Sequence, residues 1–224
     1  MKKKARASAA RTAKRRKGEP AATQALVRRA APVAQPSAER DRKSEIRRLK
    51  TQLAKANARI EALQAVAETD FLLGIPNRRG FERELGRAIA YIQRYQASGA
   101  LVVIDVDRLK PINDNFGHAA GDAVLQAIVA VLSRQIRSSD MIGRLGGDEF
   151  ALLLWNLSET DAHAKAAAFE EDIDRLHFTF EGHTVATGVS AGVAVLGPHS
   201  DGATALLDAD HAMYVRKAQR RHDA

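Results

Sequence analysis

The stretch Arg144-Leu145-Gly146-Gly147-Asp148-Glu149-Phe150 sets a Gly-Gly pair between two apolar runs and follows it at once with two carboxylates. Met141–Leu145 and Phe150–Trp155 read as the flanking strands of a hairpin. A two-residue loop at positive φ favours glycine, and glycine leaves no side chain to obstruct a ligand lying over the turn. An acidic pair beside a bare, rigid turn suits divalent-cation and phosphate chemistry. Taken alone, the run is equally an ordinary surface turn.

Upstream, Ala100-Leu-Val-Val-Ile-Asp105-Val106-Asp107 is an apolar, β-branched run ending in two carboxylates two residues apart. Strand alternation puts Asp105 and Asp107 on one face. Carboxylates at the end of a buried strand need a partner: a hydrogen bond, a cation, or the amides of a following helix that they cap. A second acidic cluster on the hairpin moves the reading from cap to metal.

These motifs give the chain a resemblance to the GGDEF diguanylate cyclases. Asp70-Phe-Leu-Leu-Gly74-Ile-Pro76-Asn77-Arg78-Arg79 is similar to the family's opening D-x-L-T-G-L-P-N-R-R. Asp105-Val-Asp107-Arg-Leu-Lys110-Pro-Ile-Asn113-Asp114, then Gly117-His118-Ala-Ala-Gly121-Asp122, the signature Gly146–Phe150, Ser190-Ala-Gly192-Val-Ala and Ala209-Asp210-His-Ala-Met-Tyr214-Val-Arg-Lys217 follow in the family's order. The resemblance covers residues 70 to about 221.

Composition bounds the answer independently. The 224 residues are 45% hydrophobic, enough for one domain with an extension. Without cysteine there are no disulfides, and no apolar run of about 18 residues offers a membrane span, so a cytoplasmic location is expected, with no periplasmic or membrane sensory domain. The formal charge of +8 is unevenly placed: residues 1–43 carry 14 Lys/Arg against 3 Asp/Glu, the remainder 21 against 24. The 1–43 segment reads as a disordered basic tail, whose contact with nucleic acid or anionic membrane is no better supported than a purely solvated role. From Ser44, the residues Ile46, Leu49, Leu53, Ala56, Ile60, Leu63 and Ala67 alternate three and four apart, the seam of a coiled-coil helix over 44–69. The alternative is an amphipathic helix lying on its own domain.

Past Asp70 the coarse order is helix (79–96), strand (100–106), helix (118–137), hairpin (141–155), helix (158–176), strand (185–196) and helix (202–217). This is an α+β pattern over residues 70–224. The resemblance implies the palm-like, ferredoxin-related fold of the nucleotidyl cyclases. It also implies condensation of two GTP into cyclic di-GMP across a homodimer that the coil holds together.

By the same resemblance, Asp105, the Val106 carbonyl and Asp148 hold Mg²⁺, two ions per half-site with Mn²⁺ as an alternative, and Glu149 is a second ligand or proton acceptor. Asn113 and Asp122 select guanine. Lys110, Lys217 and Arg221, with the backbone amides near Arg108 and Leu109, bind phosphates. Arg137-Ser138-Ser139-Asp140 matches the family's RxxD inhibitory motif and implies a cyclic di-GMP site, with only Lys165 available in 162–172 as a further cation.

Several positions depart from the pattern. Leu73 replaces a Thr, Leu109 an aromatic, Pro111 follows Lys110, and Arg220 stands where a glycine would end the last helix, which leaves the direction of Arg221 open. A non-catalytic receptor of cyclic di-GMP or GTP is the alternative function. A nucleic-acid-binding structural protein leaves the carboxylates unexplained, and an adenylyl cyclase is disfavoured by Asn113 and Asp122.

Overall fold

The computed structural model describes residues 36–223; the rest of the basic tail, residues 1–35, lies outside them. The first element, α1, spans Pro36–Ala67 and so begins eight residues before the expected Ser44. Glu39-Arg-Asp-Arg-Lys43 carries helix formers but no apolar residue, so periodicity does not reveal it. The Glu39–Lys43 ion pair at 2.7 Å and the Ser44 hydroxyl bonded to the Asp41 carbonyl at 2.8 Å tie its first turns. Along α1, Ile46, Leu49, Leu53, Ile60 and Leu63 are 51–62% exposed. No helix among the described residues is long and apolar enough to cross a membrane.

The globular part follows a tight turn in which the Asp70 carboxylate accepts from the amides of Leu72 and Leu73, both at 3.0 Å, and Gly74 takes φ +67°. Then come α2 (Arg78–Tyr95), β1 (Gly99–Asp107), α3 (Leu109–Phe116), α4 (His118–Gln135), β2 (Met141–Arg144) and β3 (Glu149–Trp155). The chain continues through α5 (Glu159–Asp174), β4 (His177–Phe180), β5 (His183–Ala186), β6 (Gly188–Leu196) and α6 (Gly202–Asp223). The sheet order is β2-β3-β1-β6 and every pairing is antiparallel. This is the split βαβ arrangement: α3 and α4 cross from β1 to β2, and α5 crosses from β3 to β6.

Alternation along β1 divides the core. Val102, Ile104 and Val106 face one way, with Ala120, Val124 and Ile128 of α4 and Phe169 and Ile173 of α5. Leu101 and Val103 face the other way, with Phe81, Leu85 and Ile92 of α2 and Ala209 and Met213 of α6. Asp105 and Asp107 share the odd-numbered face, so the same alternation aims both carboxylates toward α6. Asn77 caps α2 by accepting from the Gly80 amide at 3.1 Å.

Two elements differ from the expectation. The segment between β1 and α4 is a helix of its own, α3, although Pro111 and Gly117 read as breakers. Pro111 falls in the first turn, where an amide has no intrahelical acceptor, and Gly117 serves as both C-cap and N-cap at φ +79°. The expected strand 185–196 is two strands, because β5 closes a separate hairpin with β4 through Glu181 (φ +48°) and Gly182 (φ +84°). Two successive positive φ values are the signature of the tight hairpin turn expected at Gly146-Gly147.

Gly192 on β6 lies under α6, where an added Cβ would stand 2.1 Å from the Met213 nitrogen and 2.2 Å from the Ala209 carbonyl oxygen. Helix backbone cannot yield as a side chain does. Gly192→Ala should destabilise the domain by about 3 kcal/mol, the upper end for overpacking. A fall in Tm of roughly 2–4 °C per kcal/mol is then expected by thermal denaturation; an unchanged Tm would contradict the packing.

Candidate active site

β1, an interior strand, carries its carboxylates at its C-terminal end near α6. Asp105 is 8% exposed and pairs with the Lys217 ammonium from α6. Asp107 accepts from the Ser190 hydroxyl at 3.1 and 3.2 Å and lies 3.4 Å from Arg220. Burial pushes the Asp105 carboxyl above its ordinary pKa; the Lys217 hydrogen bond and charge oppose this, while Asp148 and Asp107 add repulsion. Burial also raises Glu149, Arg78 opposes it, and Asp148, Asp210 and Asp105 push it further. Five carboxylates therefore share one field, which Lys217, Arg78 and Arg220 offset in part.

The hairpin that carries Asp148 is not the two-residue turn expected. Its loop is Leu145–Asp148, closed by the Leu145 and Gly146 amides, which both donate to the Glu149 carbonyl at 2.8 and 3.3 Å. Neither Gly146 nor Gly147 has positive φ. The two glycines serve space instead of backbone freedom. A Cβ on Gly146 would stand 2.9 Å from the Glu149 carboxylate, and one on Gly147 would meet nothing within 4 Å, so Gly147 leaves its surface bare for something outside the chain.

Two arginines hold this loop by its carbonyls. Arg144 donates to Gly146 at 2.9 Å and Gly147 at 2.6 Å while pairing with Asp70 at 3.0 Å. Arg78 donates to Leu145 at 2.7 Å and lies 3.6 Å from Glu149. The Val106 amide donates to the Asp148 carbonyl at 2.9 Å, which docks the loop against the end of β1. In the sequence Asp70, Arg78 and Arg144 lie within the matched motifs with no evident task. Their spacing carries no periodic signal, and only the fold brings them together.

A cleft of about 710 Å³ opens here, lined by Val106, Arg108, Leu109, Lys110 and Asp148 and, from α6, by Arg216, Lys217, Arg220 and Arg221. Of the expected phosphate ligands, Lys110 stands at the rim, 85% exposed and bonded to Asp114 at 3.1 Å. Arg108 adopts φ +63° and caps α3 with no side-chain bond, so the first amides of that helix stay available. Pro111 removes one of them. α6 runs on to Asp223 in the absence of the family's glycine, and this places Arg221 on the cleft wall. Arg220, whose place in the pattern belongs to glycine, instead joins three carboxylates: Asp174 at 2.6 Å, Asp107 at 3.4 Å and Glu170 at 3.7 Å. Arg216 grips the buried Glu170 at 2.6 Å.

Asn113 and Asp122 do not line that cleft and sit together at the α3–α4 junction. The Asn113 side-chain oxygen is buried without a hydrogen-bond partner, alone in this among the described residues. Gly121 makes room for it, since a Cβ there would stand 2.0 Å from that oxygen. Asp122, next in chain to Gly121, is exposed.

The Arg137–Asp140 turn lies on another face. Asp140 accepts from the Arg137 amide at 2.9 Å and from the Trp155 amide at 3.0 Å, so its carboxylate anchors the turn to the end of β3. The Arg137 guanidinium forms no ion pair among the described residues and is exposed. Lys165, the cation expected to assist, is committed elsewhere: it donates to the Gln135 carbonyl at 2.7 Å and lies 5.2 Å over the Phe169 ring.

Asp105, Asp148 and the Val106 carbonyl are oxygen donors that suit a hard cation such as Mg²⁺, and crowded carboxylates favour its charge. Among the described residues no group of three or more His, Cys, Asp or Glu side chains could hold an ion by itself, so ligand oxygens must complete any such shell.

A split βαβ sheet with carboxylates at the end of its first strand, under a cationic cleft, defines a palm-type nucleotidyl cyclase domain. The family profile described as "Diguanylate cyclase, GGDEF domain" matches residues 67–223. The chain belongs to the diguanylate cyclase GGDEF-domain family. It is 43% identical over 157 residues to Diguanylate cyclase TpbB of Pseudomonas aeruginosa, covering 69% of this chain and 36% of that one. It is 36% identical to Probable diguanylate cyclase DgcE of Escherichia coli, covering 70% and 14% respectively. The chain thus spans about a third or less of the length of these relatives. The GGDEF domain of TpbB superposes with a TM-score of 0.64 at 42% identity, over 67% of this chain and 89% of that one. The coiled coil and GGDEF domain of DgcB from Caulobacter crescentus, determined in complex with c-di-GMP, gives 0.69 over 79% and 94%, a likeness of fold at 24% identity.

Proposed function

We propose that the protein is a diguanylate cyclase that condenses two GTP into cyclic di-GMP with release of two pyrophosphates. The observation that carries this reading is the single cleft in which Val106 and Asp148 meet Lys217, Arg221 and the uncapped start of α3. Asn113 and Asp122 accept from the Watson–Crick edge of guanine, whose ring N–H and exocyclic amine are donors. Lys217, Arg221 and the amides near Arg108 and Leu109 hold triphosphate oxygens, with Lys110 reaching in from the rim. Asp105, Asp148 and the Val106 carbonyl hold Mg²⁺, which when bound supplies positive charge to the phosphates and the attacking hydroxyl.

Each 3′-hydroxyl attacks the α-phosphate of the GTP in the opposite domain. A new P–O bond forms there, the bond to the β-phosphate breaks, and pyrophosphate departs. Glu149, whose carboxyl burial raises above its ordinary pKa, serves as a second metal ligand or takes the hydroxyl proton. The catalysis is positioning and electrostatics, so two domains must face each other, and α1 supplies the second copy as a coiled-coil homodimer. Incubation of purified protein with GTP and Mg²⁺, with the nucleotides separated chromatographically, should give cyclic di-GMP and pyrophosphate. Recovery of unchanged GTP beside measurable cyclic di-GMP binding would turn the reading to a receptor.

Arg137 and Asp140 form a product site in this reading. The Arg137→Ala/Asp140→Ala double variant should lose the progressive slowing that accompanies product accumulation in full time courses. Slowing equal to that of the unmodified protein would remove the turn from regulation. Because Asp140 also anchors Trp155, Arg137→Ala alone is the cleaner variant.

A further inference from the structure

The last turns of α6 carry Lys217 and Arg221, yet no described side chain of that helix beyond Met213 is buried. Polar contacts hold this stretch to the domain. Lys217 pairs with Asp105, and in the proposed reaction that pair parts as Lys217 turns to phosphate and Asp105 to a cation. Arg216 and Arg220, one turn apart, remain. α5 and α6 pack on opposite faces of the sheet, and both arginines reach round the edge strand β6 to carboxylates of α5. The three nitrogens of the Arg220 guanidinium face three carboxylates: Nε toward Asp107, Nη1 toward Glu170 and Nη2 toward Asp174. Gly188, the first residue of β6, keeps this passage open, since a Cβ there would stand 2.6 Å from the Asp174 carboxylate and 3.0 Å from the Arg220 guanidinium. Glu170 also accepts from the Ala191 amide of β6 at 2.9 Å, which fixes the network to the sheet.

We propose that Arg220 is a positioning residue that aims Arg221 at the triphosphate. The proposal rests on the phosphate-binding role given above to Arg221. Neighbouring helical positions point roughly 100° apart. With Arg220 turned to α5 and the end of β1, Arg221 is therefore turned onto the cleft wall beside Lys217, four positions back. The two arginines divide the work: Arg220 has its three nitrogens committed to carboxylates, while Arg221 forms no ion pair among the described residues. A helix end with few buried contacts opens easily, and the direction of its side chains is lost with it. Arg220 stands where the family's glycine would end the helix, and its side chain pins the turn that the glycine would have closed.

Calorimetry of the full chain with Mg²⁺ and a GTP analogue whose α,β-bridge is methylene reads phosphate binding without turnover. Arg220→Met should weaken that binding about tenfold, the loss of one charge-assisted contact to phosphate, and Arg220→Lys should restore part of it. In an Arg221→Met background the same substitution should change nothing further, because Arg220 acts through Arg221. Asp174→Asn tests the sign. A positioning Arg220 that loses this anchor lets binding weaken, whereas the change of charge alone, or an Arg220 freed to grip phosphate itself, would tighten it. Tighter binding in Asp174→Asn, additive losses in the double variant, or unmoved affinity in Arg220→Met whatever its Tm would each overturn the proposal. Should the unmodified protein bind no analogue, or Arg221→Met bind it as tightly, the phosphate reading itself falls and the proposal with it.

Discussion

Asp148→Ala is expected to lower cyclic di-GMP formation by at least about 10²–10³-fold, the loss typical when one group that stabilises transition-state charge is removed. The domain should remain folded. The Asp148 side chain is half exposed, and the bond that docks the loop to β1 is made by its backbone carbonyl to the Val106 amide, which alanine retains. The expected shift in stability is therefore within about 0.5 kcal/mol, as for an exposed site away from packing. Asp105 differs in this respect: it is buried and faces Lys217, so alanine would leave an ammonium unpaired, and Asp105→Asn is the cleaner test. Rates are to be measured at saturating Mg²⁺ beside thermal denaturation. Activity within a few-fold of the unmodified protein in either variant, with Tm preserved, would remove these carboxylates from the metal site.

The arrangement around Asp105 explains why both changes should act on turnover before fold. Lys217 and the carboxylates of Asp107, Asp148 and Glu149 set a local field that is negative at the floor and positive at the wall. A triphosphate matches the wall and its accompanying cation matches the floor. Removing one carboxylate shifts that balance without opening a cavity in the core, because Ile104 and Val106 on the opposite face of the strand keep their packing.

Most of the sheet was legible because its strands are apolar runs bounded by turns, and β1 showed its split of faces by alternation. The conformation of the signature loop was not legible. Gly-Gly invites a positive-φ turn, and what selects the longer loop is the grip of Arg144 and Arg78 on its carbonyls, which depends on residues up to 74 positions away. α3 was hidden by Pro111 and Gly117, whose effect reverses when they fall in the first turn and at the cap. The β4–β5 hairpin was hidden by joining β5 to β6 across Thr187, a single residue between two strands. The acidic site residues could be picked out because carboxylates are conspicuous at the end of an apolar strand. Arg216 and Arg220 could not, because cations on an amphipathic helix read as solvated until Glu170, Asp107 and Asp174 are found beneath them.

The second large effect concerns α1. Replacing Leu49, Leu53, Ile60 and Leu63 together by polar residues is expected to give a monomer whose specific activity at low micromolar protein is at least about tenfold reduced. That activity should rise with concentration, because a tether that supplies an effective concentration of roughly millimolar has been removed. Each of these side chains is more than half exposed, so the substitutions cost the globular domain no buried contact, and its fold and nucleotide sites should persist. The exposure carries the argument in the other direction too: apolar side chains at heptad spacing favour a partner helix over water. Concentration dependence is the expectation of the proposed reaction, in which each 3′-hydroxyl meets a phosphate held by another domain and a monomer has to find that domain by diffusion. Light scattering fixes the oligomeric state, and rates over a hundredfold range of protein concentration fix the order in enzyme. Rates second order in enzyme for the monomeric variant and first order for the unmodified chain would establish the tether. Full specific activity from a confirmed monomer at low concentration would refute it.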